Sequence, residues 1–139
     1  MANHNAKEYG YQVADTIKAA NELNAKVRRF KATIDLASQA SGDTITLFKV
    51  PKGYSFITGI LNASASLSTS TIKIGTADDD DKYRASAVHT ATAPTLFGAQ
   101  AGFVEGGNTT EETIILTVGT AALPGSGTLV VDMLFSAAN

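Results

Sequence analysis

The sequence contains no cysteine and no tryptophan, and its 139 residues include only two histidines. Without cysteine the chain can form neither a disulfide bond nor a thiolate nucleophile. Its apolar runs are short: residues 56–61 are interrupted by Thr58 and Gly59, whereas a membrane-spanning helix needs about 20 apolar residues. The amino terminus has no apolar core of the kind that a secretory signal carries, so we expect the chain to fold first in a cytoplasm.

Residues that carry catalysis are equally scarce. His4 lies near the amino terminus and His89 lies in a segment rich in threonine and alanine, and neither has a carboxylate at a spacing that suggests a proton relay or a metal site. We expect both histidines at the protein surface. Three carboxylates flank a glycine-rich loop and are interpreted as solvated residues of a hairpin: Glu105, Glu111 and Glu112. We therefore predict a protein that is not an enzyme and that holds no metal and no cofactor.

The formal charge of −2 is divided unevenly along the chain. Up to Lys31 the sequence has six basic and three acidic residues, whereas from Ala32 onward it has five basic and ten acidic residues. A basic leading segment before an acidic body is typical of an arm that reaches an anionic surface. A solvated leading segment without a partner is the alternative interpretation.

The pattern of apolar residues divides the chain near Phe30. Before that residue, Val13, Ile17 and Ala20 recur at the spacing of a helix face, and their neighbours are good helix formers. The apolar stripe is thin, which is typical of a segment that becomes ordered on a partner or on the body. We expect residues 1–29 to form an extended or partly helical N-terminal arm, with the helix between residues 14 and 26.

From Phe30 onward the hydrophobic period becomes two, as in a strand with one buried face. The clearest case is the run in which Phe30, Ala32, Ile34 and Leu36 alternate with other residues. Similar runs, separated by turn residues, provide about eight strands, and no helical pattern lies between them to form parallel βαβ units. We therefore predict that residues 30–139 form an all-β body, an antiparallel β-sandwich with a jelly-roll-like topology.

Residues 78–81 are four consecutive aspartates, the strongest charge feature of the chain. Adjacent carboxylates repel one another unless solvent or a cation offsets them, so we expect the run in an exposed loop. It does not fit an EF-hand, because a loop that begins at Asp78 has Tyr83 where glycine is required and His89 where glutamate is required. The alternatives are an irregular calcium loop, a solvated acidic tip and a salt-bridge partner for a neighbouring subunit.

The stretch between residues 44 and 83 combines strand patterning with a distinctive order of short motifs. They are VPKG (residues 50–53), GIL (59–61), a small-polar stretch (64–71), IGTAD (74–78) and DKY (81–83). This order resembles that of small head proteins of tailed bacteriophages, especially capsid decoration or cement proteins. The likeness continues more loosely through VG (118–119) and GTLVV (127–131), so it covers the chain after about residue 28.

The resemblance implies a non-enzymatic virion protein that binds the outside of a phage capsid and stabilises it by bridging subunits of the major capsid protein. It also implies a homotrimer at a capsid symmetry axis, made in the bacterial host cytoplasm. Residues 63–70 and 91–104 are candidate subunit contacts, because small side chains allow close approach. The aromatic and basic residues of the arm are the candidate capsid-binding residues: Tyr9, Tyr11, Lys18, Lys26, Arg28 and Arg29.

Other functions stay open at the level of the sequence. A host-binding or carbohydrate-binding virion module would use the same fold, but sugar sites usually present aromatic faces and only 7% of the residues are aromatic. A structural protein of the tail is a further alternative. The acidic body argues against nucleic acid as a partner, because it repels a phosphate backbone.

Overall fold

The computed structural model describes residues 25–104 and 107–137, which form eight strands and one short 3-10 helix. The strands are β1 (Lys26–Asp35), β2 (Thr44–Val50), β3 (Ser55–Ala63), β4 (Thr71–Gly75), β5 (Arg84–Val88), β6 (Thr95–Phe97), β7 (Glu112–Gly119) and β8 (Thr128–Ala137). The 3-10 helix, Gln100–Gly102, lies between β6 and β7. No helix in these described ranges is long and apolar enough to cross a membrane.

The strands pair into two four-stranded sheets. The first sheet has the order β1-β8-β3-β6 and the second has the order β2-β7-β4-β5. Every pair of neighbouring strands is antiparallel. Buried side chains from both sheets belong to a single hydrophobic core. The predicted antiparallel β-sandwich is therefore confirmed.

Strand β1 begins at Lys26, four residues before the alternating pattern predicts the first strand. Lys26 pairs with Ala137 and Arg29 pairs with Leu134, both near the other end of the chain. A strand at the edge of a sheet tolerates Lys and Arg, and its pairing partner is not visible in the local sequence. The boundary expected between arm and body, at residues 29 and 30, falls inside this strand.

Aromatic rings of the first sheet pack against the loop between β4 and β5 at one end of the sandwich. The ring of Phe135 on β8 lies 5.4 Å from that of Phe30 and 5.5 Å from that of Phe56, measured between centroids. Tyr83, in the loop between β4 and β5, lies 5.0 Å from Phe56 and 6.0 Å from Phe135. Ring pairs of this kind contribute about 0.5–1.5 kcal/mol beyond the burial of their area. The core at this end therefore holds the loop that contains the aspartate run.

Candidate interaction surface

Strand β1 forms a basic edge of the first sheet. Four of its ten residues are basic: Lys26, Arg28, Arg29 and Lys31. Lys26 and Lys31 are exposed, and Arg28 is half-buried. Because β1 pairs with β8 alone in its sheet, its other side is an edge that a partner can approach.

Arg29 on this edge has an acidic partner on the neighbouring strand. Its Nε donates to Oδ1 of Asp132 at 2.6 Å and its Nη2 donates to Oδ2 at 3.0 Å, a bidentate geometry. The hydrogen bond from Arg29 lowers the pKa of Asp132. Arg29 is thereby fixed on the outer face of the sheet, while Lys26 and Lys31 supply exposed positive charge.

The structure changes the interpretation of a basic arm joined to an acidic body. Residues 1–24 contain two basic and three acidic residues, whereas β1 alone contains four basic residues. The positive charge of the leading segment therefore lies mostly in the sheet. Of the six candidate capsid-binding residues, Lys26, Arg28 and Arg29 are in β1, and the others lie outside the described residues: Tyr9, Tyr11 and Lys18.

The four aspartates are exposed in the loop between β4 and β5, as predicted. Gly75 lets this loop fold back on β4, since a Cβ atom there would lie 2.2 Å from the carbonyl oxygen of Asp79. The amide of Thr76 donates to that same oxygen at 2.9 Å, and the amide of Asp79 donates to Oγ1 of Thr76 at 3.2 Å. An ion pair of 2.7 Å joins Asp80 to Lys73 on β4. The loop is thus a closed turn with carboxylates on its surface.

The carboxylates of this loop interact with one another. A hydrogen bond with Asp81 raises the pKa of Asp79, because a shared hydrogen bond between two carboxyl groups favours the protonated form, and the negative charge of Asp81 acts in the same direction. Across residues 25–104 and 107–137, no group of three or more His, Asp or Glu side chains is arranged to hold a metal ion.

Glu112 connects the aspartate loop to β7. Its carboxylate accepts hydrogen bonds from the ammonium group of Lys82 and from the hydroxyl of Tyr83. The side chains of Lys82 and Glu112 are only 15% and 14% exposed, and Tyr83 is fully buried. Burial and the bond to Glu112 raise the pKa of Tyr83, which therefore stays a hydrogen-bond donor. The prediction of a solvated hairpin residue is wrong for Glu112, because the fold brings distant donors to its carboxylate.

A cleft of about 210 Å³ lies between the aspartate loop and β7. Its lining consists mainly of threonine hydroxyls and carboxylates: Thr76, Ala77, Asp78, Thr110, Glu111, Glu112, Thr113 and Ile115.

His89 is buried, with only 4% of its surface exposed, so the prediction of a surface histidine is wrong. Its Nε2 atom has no hydrogen-bond partner within the described part of the chain. Burial and the guanidinium of Arg84 lower its pKa. Arg84 itself donates to the carbonyl oxygens of Ala87 and Val88, at 3.1 and 3.2 Å, along the edge strand β5. Protonation of His89 would thus place a second positive charge beside this edge.

We expect His89 to make the fold sensitive to acid. Its pKa in the folded chain is lowered from 6.5, so the unfolded chain binds the proton more readily and stability should fall as the pH drops below 6.5 toward the folded value. Urea unfolding between about pH 8 and pH 5 measures this loss. The His89→Gln variant should lose part of the pH dependence, and His4→Gln serves as the matched control. Parallel pH profiles for the parent and His89→Gln would contradict the prediction.

The fold is shared with chains from three phage capsids. A chain of the capsid asymmetric unit of cyanophage Pam1 matches with a TM-score of 0.66 at 12% identity, over 99% of this chain and 91% of that chain. A chain of the capsid of Ralstonia phage GP4 matches with a TM-score of 0.62 at 16% identity, over 81% and 84% of the two chains. A chain of the acid-stable capsid of Helicobacter pylori bacteriophage KHP30 matches with a TM-score of 0.61 at 14% identity, over 81% and 89%.

No protein-family model matches the sequence, and no curated protein matches it. The likeness to the three capsid chains is one of fold, because only 12–16% of the residues are identical. At this level the resemblance to head structural proteins of bacteriophages is confirmed.

Proposed function

We propose that this protein is a non-enzymatic structural component of a tailed-phage virion that binds the outside of the capsid and bridges subunits of the major capsid protein. The observation that carries the proposal is the match of its fold to chains from three phage capsids, over 81–99% of its length.

We also assign the sandwich to the jelly-roll topology. Along the chain, successive strands alternate between the two sheets, and within the described residues only β4 and β5 are consecutive strands that pair with each other. This winding brings the first and last strands together as the neighbours β1 and β8. Eight strands wound as two Greek keys have this character.

The basic edge of β1 is the proposed capsid-binding surface of the body. Its exposed Lys26 and Lys31 suit an acidic patch on the capsid, where complementary charge guides association and fixes register. Tyr9, Tyr11 and Lys18 of the upstream segment extend the same surface in this proposal. One strand edge offers few contacts, so a homotrimer would strengthen attachment through avidity. Residues 63–70 and 91–104 are its proposed subunit contacts.

Charge reversal on β1 tests the surface. Lys26→Glu combined with Lys31→Glu should weaken binding to particles of the same phage that lack the protein by roughly tenfold or more, which corresponds to about 1.4 kcal/mol. Lys49→Glu combined with Lys52→Glu is the matched control, because these lysines are also exposed and the change in net charge is the same. Cosedimentation at several salt concentrations measures the affinities. Equal losses in both double variants would exclude β1 as the binding edge.

Imaging of intact particles distinguishes the alternative functions. Density for the bound protein on the head, seen in images of intact particles, agrees with a capsid role, whereas density on the tail identifies a tail structural protein. Light scattering of the isolated protein tests the trimer, which should have three times the 14.4 kDa mass of one chain. If the isolated protein is a monomer and a single copy still binds capsids tightly, avidity is not needed for attachment.

A further inference from the structure

Strand β1 differs from the other edge strands of the sandwich. Its ten residues pair with β8 in one unbroken register, and within residues 25–104 and 107–137 no strand pairs with its other side. Among the other edge strands, β6 has only three residues, and irregularities interrupt the pairing of β2 and of β5. Short and irregular edges resist the addition of a further strand. Among the described strands, β1 is therefore the edge best able to accept one.

The register shows which backbone groups of β1 lie on this edge. Leu36, directly after β1, donates its amide to the carbonyl oxygen of Gly127 at 2.9 Å, so the even-numbered residues of β1 face β8. In an antiparallel pair, alternate residues point their backbone groups to opposite sides. The outward groups, here named the open edge, belong to four residues: Val27, Arg29, Lys31 and Thr33. The open edge ends before Asp35, whose carbonyl oxygen accepts a hydrogen bond from the side-chain amide of Gln39 at 2.9 Å.

The inner side of β1 adjoins apolar groups that the sandwich covers only in part. Phe30 of β1 lies against Phe48 of β2, with 5.4 Å between the ring centroids, and both side chains are half-buried. The side chains of a strand alternate between the two faces of its sheet. A strand added to the open edge would therefore place every second side chain next to these rings, where apolar groups are favoured.

The outer side of the open edge is positively charged. Strand β1 has four basic residues and one acidic residue, Asp35. The side chains of Arg29 and Lys31 lie on the outer face, and that of Arg29 stays 60% exposed beside its ion pair with Asp132. A second copy of β1 would bring like charges together across the strands, which is destabilising. Carboxylates on the outer face of an added strand would instead lie beside these cations.

We propose that the open edge accepts, as a fifth strand of the first sheet, an extended segment of the partner protein in which acidic and apolar residues alternate. Main-chain hydrogen bonds to β1 hold the segment, its acidic side chains lie beside Arg29 and Lys31, and its apolar side chains cover Phe30 and Phe48. From Val27 to Thr33 the open edge extends about 20 Å, which a segment of about seven residues fills. The inference rests on the proposed function only in naming the partner as a capsid protein.

A proline that removes one outward amide tests this mode of binding without a change of charge. Thr33→Pro removes a donor of the open edge, whereas the hydrogen bonds between β1 and β8 remain, because the backbone groups of Thr33 do not face β8. Thr33→Ala is the matched control, since it keeps the amide. In cosedimentation with particles that lack the protein, we expect Thr33→Pro to bind roughly tenfold more weakly than the parent or worse, and Thr33→Ala to bind within about twofold of it.

A second pair of variants guards against a loss of folding. Val27→Pro and Val27→Ala repeat the comparison at the start of β1, where a local distortion disturbs fewer neighbours. Far-ultraviolet circular dichroism confirms that each variant is folded before the affinities are compared.

A synthetic strand tests the inference without the phage. The probe is a capped peptide of alternating valine and glutamate, about eight residues long, and its control has lysine in place of glutamate. Titrated into the full chain labelled with nitrogen-15, the glutamate peptide should shift the amide resonances of the open edge and bind roughly tenfold more tightly than the lysine peptide or better. Thr33→Pro should abolish these shifts.

The outcomes separate the inference from the proposed function. If the parent does not bind particles, the proposed function fails, and the peptide titration alone decides the inference. If the parent and Thr33→Pro bind particles equally, the inference fails and the proposed function stands. Equal binding of the two peptides, or no binding of the glutamate peptide, would also overturn the inference. A dimer that Thr33→Pro converts to a monomer in light scattering would assign the open edge to a second copy and overturn it as well.

Discussion

Replacement of Tyr83 by alanine should lower the free energy of unfolding by about 3–5 kcal/mol. The side chain is fully buried, and its ring lies between Phe56 of one strand and Phe135 of another. Alanine would leave a cavity in the aromatic end of the core. The closely packed residues around it cannot move far enough to fill it. Denaturant unfolding followed by far-ultraviolet circular dichroism measures the loss.

Tyr83→Phe is the control for this substitution. It keeps the ring in the aromatic group and removes only the hydroxyl that donates to Glu112. Glu112 still has Lys82 as a donor, so the expected cost is about 1 kcal/mol. If phenylalanine cost as much as alanine, the hydrogen bond rather than ring packing would hold the aspartate loop, and the packing argument would fail.

Glu112→Ala should destabilise the fold by about 3 kcal/mol. The substitution leaves two donors without their acceptor: the ammonium of Lys82, whose side chain is only 15% exposed, and the buried hydroxyl of Tyr83. A charge that loses its partner in such surroundings costs more than the pair itself contributes. The free energy of unfolding of Glu112→Ala, compared with that of the parent, measures the effect.

A double-mutant cycle separates the charge from the rest of the effect. Lys82→Met alone removes the ammonium and leaves Glu112 with Tyr83, whereas Lys82→Met with Glu112→Ala removes both charges. Because these residues are in direct contact, the double variant should be less destabilised than the two single losses added together, by about 1 kcal/mol or more. Additive losses would show that Lys82 and Glu112 act independently. As an exposed control, Glu111→Ala should change stability by less than about 0.5 kcal/mol.

The strands of this protein could be predicted from the sequence because their period is a local property. On β8, Leu129, Val131, Met133 and Phe135 are buried while the residues between them are not. A strand that buries one face must alternate in this way wherever it lies in the fold. Charge repulsion is also local. Adjacent carboxylates repel one another, so the exposure of the aspartate run was correctly predicted from the sequence.

The sites could not be predicted in the same way, because their partners are distant in the sequence. Glu112 receives hydrogen bonds from Lys82 and Tyr83, and nothing near Glu112 in the chain signals this pairing. The threonine and alanine residues near His89 in the sequence predict a surface position, yet the fold buries His89 near Arg84. Such positions are decided by which loops pack together, and local composition carries no record of that packing.

The sequence by itself determined the fold class, the approximate number of strands and the exposure of the aspartate loop, since alternation and charge repulsion act between near neighbours. Only the tertiary structure decided that β1 begins at Lys26 beside Ala137, which moves the basic residues from an arm to the edge of a sheet. It also decided that the outward positions of the second sheet are rich in threonine. These features depend on which strands become neighbours, and strand order results from long-range packing that no local pattern specifies.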